Sequence, residues 1–318
     1  MRRRTIQTDS TDHTKPLQYT VDTAEAGLKV IDILATKLML SGRSIRRAKQ
    51  NNLVALNEVF GSVNRIVQPG DRVAVFFLRE ENIFEPENIR FDICFEDDDL
   101  LVVNKPPFLV VHPTKGHPTG TLGNAVAYHQ LQRGEHYKIR FINRLDRDTS
   151  GLLLIAKNAN AQQRVSEQMK AGTVSKTYLA LVEGSTPSSE TIDAPIDRLS
   201  PDDILRGVTP HGLPSITRYR TLETHPISAL HRQQNISSVS LVELDLLTGR
   251  THQIRVHMAY IGHPVLGDTL YGHPSPWIPR QALHCCAMEF VHPRTGEPLR
   301  FKVELPKDIR DALRMIRF

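Results

Sequence analysis

Asn143-Arg144-Leu145-Asp146-Arg147-Asp148-Thr149-Ser150-Gly151 runs directly into Leu152-Leu153-Leu154-Ile155-Ala156. The second stretch is short, continuous and apolar, and it reads as a buried strand. Phe141-Ile142 flanks the charged run on its other side, so part of the run is drawn towards the core. On pattern alone, a solvated loop is the simpler reading of so many charges. Against it, a carboxylate close to buried strands needs a cationic partner, because desolvating it unpaired is costly. A second cluster offers one: Thr248-Gly249-Arg250-Thr251-His252-Gln253-Ile254-Arg255-Val256-His257. Gly249 permits a sharp turn, after which polar and apolar side chains alternate. Taken alone, this cluster suits an ordinary exposed helix or strand equally well.

Working outward, Leu100-Leu101-Val102-Val103 reads as a short buried strand ended by Lys105-Pro106-Pro107, where proline fixes a rigid loop. Further strands are expected at 177–182, 239–246 and 299–303, and helices near 121–132, 158–171 and 251–261. Strands outnumber helices without a strict βαβ rhythm. The expected class is therefore α+β, with a largely antiparallel mixed sheet flanked by helices. Residues 185–215, with Pro, Ser, Asp and Gly throughout, read as a long loop insertion.

The first part of the chain has a different texture. Leu28, Ile31, Leu34, Ala35 and Leu38 fall at helical spacing over 24–40. Ser41 or Gly42 then caps a second helix, which places Arg43, Arg46, Arg47 and Gln50 on one face. Short strands are expected at 53–57, 63–66 and 72–78, with a turn at Gln68-Pro69-Gly70-Asp71. The expected division is a disordered tail at 1–16, a small domain at 17–83, a linker at 84–90 and a large domain at 91–318.

Composition bounds the class. The chain has 318 residues, 40% of them hydrophobic and 24% charged, which is ordinary for a folded protein of two domains. The net charge of +5 suits an acidic partner without identifying it. More telling, residues 36–57 carry Lys37, Arg43, Arg46, Arg47 and Lys49 and no acidic side chain. The three cysteines (Cys94, Cys285 and Cys286) form no C-x-x-C pair, which argues against a disulfide framework and a zinc site and fits a reducing cytoplasm. Arg2-Arg3-Arg4 is followed by no apolar core of a signal peptide, and no run is long enough to span a membrane. His252 and His257 stand five apart in no metal-binding pattern, so a structural or ligand-facing role is expected of them.

The two clusters, in this order and separation, resemble the RluA-type pseudouridine synthases. The resemblance extends over Leu101 to Pro106, Arg144 to Gly151, Lys176 to Gly184, Gly249 to His257, Gly262 to Asp268 and Arg280 to His284. Residues 24–83 look like the ribosomal protein S-four-like RNA-binding domain that often precedes this catalytic domain. The resemblance implies an RNA isomerase with no cofactor and no metal, with Asp146 as the catalytic carboxylate. It further implies that Tyr178 stacks on the target uracil, that Arg255 pairs with Asp146, that Arg144 helps displace the base, and that Leu283 walls the pocket. The implied substrate is RNA, by default large-subunit ribosomal RNA, handled by a cytoplasmic monomer. The basic face of Arg43, Arg46, Arg47 and Lys49 is then expected on RNA phosphates.

Three positions depart from the family pattern. Asn143 stands where a histidine is common, Phe108 where a glycine is usual, and Asn57-Glu58 in place of an Asn-Gly turn. Two rival readings remain at this stage: a catalytically inactive RNA-binding or ribosome-assembly factor, and a glycosidase using Asp146 and Asp148. The second would need its carboxylates roughly 5 to 9.5 Å apart across the scissile bond.

Overall fold

The computed structural model describes residues 16–77, 80, 82–114, 116–200, 204–227 and 236–317. The expected tail at 1–16 lies almost wholly outside the described residues. In the first unit the elements are β1 (Leu17–Thr20), α1 (Val30–Thr36), α2 (Gly42–Gln50), β2 (Val54–Leu56), β3 (Val59–Phe60) and β4 (Arg72–Val75). The strands form an antiparallel sheet in the order β1-β4-β2-β3. Val30, Ile33, Leu34, Ile45, Ala48, Val73 and Val75 fill one hydrophobic cluster beneath it.

The Ser41 hydroxyl caps α2 by accepting from the Ser44 N–H at 3.1 Å. As expected, α2 buries Ile45 and Ala48 and leaves Arg43, Arg46, Arg47 and Lys49 exposed. Two expectations for this unit are corrected. The helix expected over 24–40 is confined to α1, because a 3-10 turn at Thr23–Glu25 and Gly27 at φ 85° occupy its first part. The strand expected at 63–66 is only a bridge between Lys29 and Ile66. Instead Asn57 and Glu58, at φ 50° and 67°, turn the chain from β2 into β3.

The second unit contains β5 (Asp92–Glu96), β6 (Leu100–Lys105), α3 (Leu122–Arg133), β7 (Arg140–Phe141), β8 (Ser150–Ala156), α4 (Ala159–Lys170) and β9 (Ser175–Glu183). It continues with β10 (Ser189–Asp193), β11 (Ile196–Arg198), β12 (Arg206–Val208), β13 (Ile216–Pro226), β14 (Ser238–Leu246), α5 (Gln253–Tyr260), β15 (Leu283–Val291), β16 (Pro298–Lys302) and α6 (Lys307–Arg317). Ten strands join in one sheet along the path β10-β13-β14-β9-β15-β8-β6-β5, with β16 on β15 and β7 on β8. Only β8 and β15 pair in parallel among these. The class is α+β with a largely antiparallel mixed sheet, as the element pattern predicts.

The expected loop at 185–215 instead holds β10 and the β11–β12 hairpin, each too short and too polar to stand out in sequence. Within 84–90, expected as the linker, several residues contact the second unit. Phe84 and Ile89 lie against its hydrophobic cluster, and the Glu87 carboxylate accepts from the Gly120 N–H at 3.0 Å.

The pairing of β8 and β15 positions everything that follows. They touch only at Ser150–His284 and Gly151–Cys285, after which β8 turns to β7 and β15 to β16. Gly151 adopts φ +112°, and a Cβ there would sit 2.2 Å from the Cys285 carbonyl oxygen, so only glycine allows the two backbones to meet. One register line crosses this seam, running Lys105, Gly151, Cys285, Tyr178, Leu244 and Tyr219 over β6, β8, β15, β9, β14 and β13. Beyond the seam β8 has an open edge, which Asn143 fills. Its Oδ1 accepts from the Leu154 N–H at 2.8 Å and its Nδ2 donates to the Leu152 carbonyl at 3.4 Å.

Candidate active site

The loop between β7 and β8 carries Arg144, Asp146, Arg147 and Asp148. Two separate clamps hold it. From one side the Lys105 ammonium, fully buried at the end of β6, donates to the Arg147 carbonyl at 2.8 Å. It also donates to the Pro106 and Leu109 carbonyls, both at 2.9 Å. Burial and the Arg280 charge push this ammonium down to about 7, while an acceptor for each of its three N–H bonds favours the charged form. From below, the Arg280 guanidinium donates to the Asp148 carbonyl at 2.8 Å and grips the Asp308 carboxylate at 2.7 and 3.0 Å.

Asp146, part-exposed, meets the second sequence cluster. Its Oδ2 accepts from Arg255 Nη1 at 3.0 Å, and its Oδ1 faces His252 Nε2 at 3.8 Å. Arg255 projects from α5 and is itself fixed by Asp268, whose carboxylate accepts from Nε at 2.6 Å and from Nη2 at 2.8 Å. Asp268 is 0% exposed and also accepts from the Leu270 and Tyr271 N–H groups. Burial alone would lower the Arg255 guanidinium. Asp268 and then Asp146 more than offset this, so it stays above its ordinary value. The Tyr271 ring packs on the Arg255 guanidinium at 5.1 Å, and its hydroxyl meets His252 Nδ1 at 2.8 Å. Burial lowers the His252 imidazole below its ordinary value; Asp146 opposes this and Arg255 reinforces it.

Of the remaining predicted residues, Arg144 and Tyr178 also interact with this site. Arg144, exposed, donates to the Thr251 hydroxyl and so ties the two sequence clusters together. Tyr178 is buried on β9. Burial pushes its phenol well up, with the Cys285 thiol and the Asp146 charge adding to the effect. Leu283, also buried, opens β15 opposite Ala180 of β9. Asp148 is held by its neighbour Arg147 through bonds of 2.7 and 2.9 Å.

On α2, Arg47 is not free: Glu80 binds it at 3.0 Å and also binds the buried Arg140 of β7. Of the four basic side chains expected on RNA, this concerns Arg47 alone. The segment's own sequence is acid-free, but the partner arrives from beyond it. One group with metal-ligand composition occurs among the described residues, Asp97, Asp99 and His292. Its oxygens are already engaged by His292, Arg294 and Asn158.

Sequence reasoning assigned no role to Lys105, Asp268, Tyr271 or Arg280. The quoted segments contained Lys105, Asp268 and Arg280, and a buried arginine's need for a carboxylate was the available signal for Asp268. Tyr271 had no signal, since its contacts exist only in the folded chain.

This geometry defines a site in which an arginine-paired aspartate precedes the one parallel pairing of a largely antiparallel sheet. Residues 99–260 match the family model described as RNA pseudouridylate synthase, and the chain belongs to that family. Among its relatives, an uncharacterized RNA pseudouridine synthase of Bacillus subtilis is 36% identical over 300 residues, covering 94% of this chain and 96% of the relative. The ribosomal large subunit pseudouridine synthase D of Nitrosomonas europaea is 36% identical over 320 residues, covering 97% of this chain and 90% of the relative. The solved structure of human RNA pseudouridylate synthase domain containing 1 superposes with a TM-score of 0.54 at 29% identity, covering 70% of this chain and 86% of that one. The glycosidase and the inactive RNA-binding factor are set aside: the fold, the family and the relatives are those of an RNA pseudouridine synthase.

Proposed function

We propose that this enzyme isomerises uridine to pseudouridine in large-subunit ribosomal RNA, with Asp146 as the carboxylate that acts at the ribose. The relatives named for the large ribosomal subunit support the substrate class. The observation that carries Asp146 is its pairing: it alone in its run bonds the buried Arg255, at 3.0 Å, while its side chain stays part-exposed. The reaction breaks the bond from the anomeric carbon to N1 of uracil, turns the base and rejoins it through C5, which then loses its proton. It consumes no oxidant, reductant or energy carrier. It needs an ionised carboxylate at the sugar, as nucleophile at the anomeric carbon or as base at the neighbouring position. An adjacent guanidinium favours that ionised form.

Tyr178 stacks on the target uracil, and Leu283 helps wall the pocket that retains the detached base and keeps out water. Arg144 assists in drawing the base from its helix, at a cost of a few kcal/mol in unstacking. Residues 17–83 act as an S-four-like RNA-binding domain with Arg43, Arg46, Arg47 and Lys49 towards phosphates, and residues 91–318 carry the chemistry. The enzyme works as a cytoplasmic monomer. Among the described residues no helix is long and apolar enough to cross a membrane. The test is Asp146→Asn assayed by tritium release from 5-tritiated large-subunit ribosomal RNA. Release should vanish while the dissociation constant stays within a few fold; appreciable residual turnover would remove Asp146 from the central role.

A further inference from the structure

Phe108 is an exposed aromatic on a backbone conformation that phenylalanine rarely adopts. Its φ is +63°, in the left-handed region where a Cβ crowds the chain and glycine sits without strain. The side chain is 56% exposed, belongs to neither hydrophobic cluster and forms no pair with another aromatic ring among the described residues. Burial therefore does not account for it. Its place is also fixed. Lys105 Nζ binds the Leu109 carbonyl, next to Phe108, and the Arg147 carbonyl, next to Asp146. One ammonium thus anchors the Phe108 loop to the Asp146 loop. Two exposed arginines, Arg144 and Arg147, stand on that same loop.

We propose that Phe108 is a stacking platform for a base of the RNA next to the uridine being isomerised, and that the strained backbone is retained for that contact. The inference rests on the reading of Asp146 as the reacting centre. An exposed ring on a loop anchored to one that carries exposed guanidinium groups matches unpaired RNA, whose bases stack on aromatic faces while its phosphates meet cations. Strain kept at a solvent-facing residue beside a reactive loop points the same way, since such outliers persist where function needs them.

The test uses the full chain and a large-subunit ribosomal RNA transcript carrying 5-tritiated uridine, reading binding and turnover separately. Phe108→Ala should raise Kd and KM by roughly 5- to 150-fold, the equivalent of about 1–3 kcal/mol for one base–aromatic stack. Phe108→Trp should bind as the native enzyme does. Phe108→Gly should lose binding as alanine does, yet melt about 2–4 °C above Phe108→Ala, because glycine alone releases the backbone. Affinity within twofold for Phe108→Ala, or equal losses for the alanine and tryptophan variants, would overturn the stacking role. A change in sedimentation of Phe108→Ala without RNA would overturn it too, by showing a protein contact instead. Failure of the Asp146 reading shows elsewhere, in the rate of Asp146→Asn.

Discussion

Two buried arginines of the larger unit and two exposed ones of the smaller do opposite work. In the larger one, Arg255 and Arg280 are 7% and 2% exposed, and each is gripped through two bonds by a carboxylate, Asp268 and Asp308. In the smaller one, Arg43 and Arg46 stand in solvent on α2, and among the described residues no ion pair includes them. A buried guanidinium with its valences filled is a rigid part that holds other groups in position, as Arg255 holds Asp146. An exposed guanidinium is a mobile charge, suited to a polyanion and sensitive to salt. Arg47, half-exposed and bound to Glu80, lies between these extremes.

The sharpest break of the comparison is Asp268→Ala. It strands the Arg255 charge in the interior, so stability should fall by about 3–5 kcal/mol, read by urea unfolding, and turnover should fall with it. A loss below about 1 kcal/mol, the range of surface pairs, would erase the distinction between the two classes of arginine. Next in size is Tyr178→Ala, which should weaken binding of RNA by about 1–3 kcal/mol while Tyr178→Phe binds normally. Equal binding by both variants would deny the ring a stacking role.

Asn143→Ala comes third. It leaves the Leu154 N–H at the open edge of β8 without its acceptor, and thermal unfolding should register about 1–3 kcal/mol. A neutral result would mean that water or a shifted backbone takes over. Lys105 gives a pH test. Its value of about 7 in the fold lies below the roughly 10.4 of an unfolded lysine, so between these values the unfolded chain holds the extra proton. The group's contribution therefore makes the fold more stable as pH rises from about 7 towards 10. The stability difference between the native enzyme and Lys105→Met should shift in that direction between neutral and alkaline pH. A flat difference would mean that the three carbonyls keep the ammonium charged.

The smallest effect belongs to α2. Arg46→Ala should lower the slope of log affinity against log salt by about 0.7–0.9, as one lost phosphate contact does. Arg47→Ala should lower it by less, because Glu80 already neutralises that charge. Equal slopes for both variants would place Glu80 outside the RNA-binding balance.

Legibility in the sequence followed burial. The strands β6, β8, β9 and β14 were readable because apolar residues run through them, and α2 because its polar and apolar faces separate. β13 escaped because Thr217 and Tyr219 face inward beside Arg218 and Arg220, so its alternation is hidden among polar letters. The terminal helix α6 escaped although Ile309, Ala312, Leu313 and Ile316 repeat at helical spacing. Of the site, Asp146, Tyr178 and Arg255 came from family resemblance rather than from residue pattern. Asp268 and Tyr271 act through contacts that the chain makes only when folded, with Asp268 meeting an arginine thirteen residues earlier.

The seam at Gly151 also sets a limit on how the proposed active site can vary. Where β8 meets β15 the spacing is backbone against backbone, with no side chain between that a substitution could enlarge or trim. Side chains on the loops around it can change. The backbone contact between Gly151 and Cys285 cannot, since any Cβ at 151 would collide with it. Diversification of substrate preference is thereby channelled into the loops, while this one spacing stays fixed.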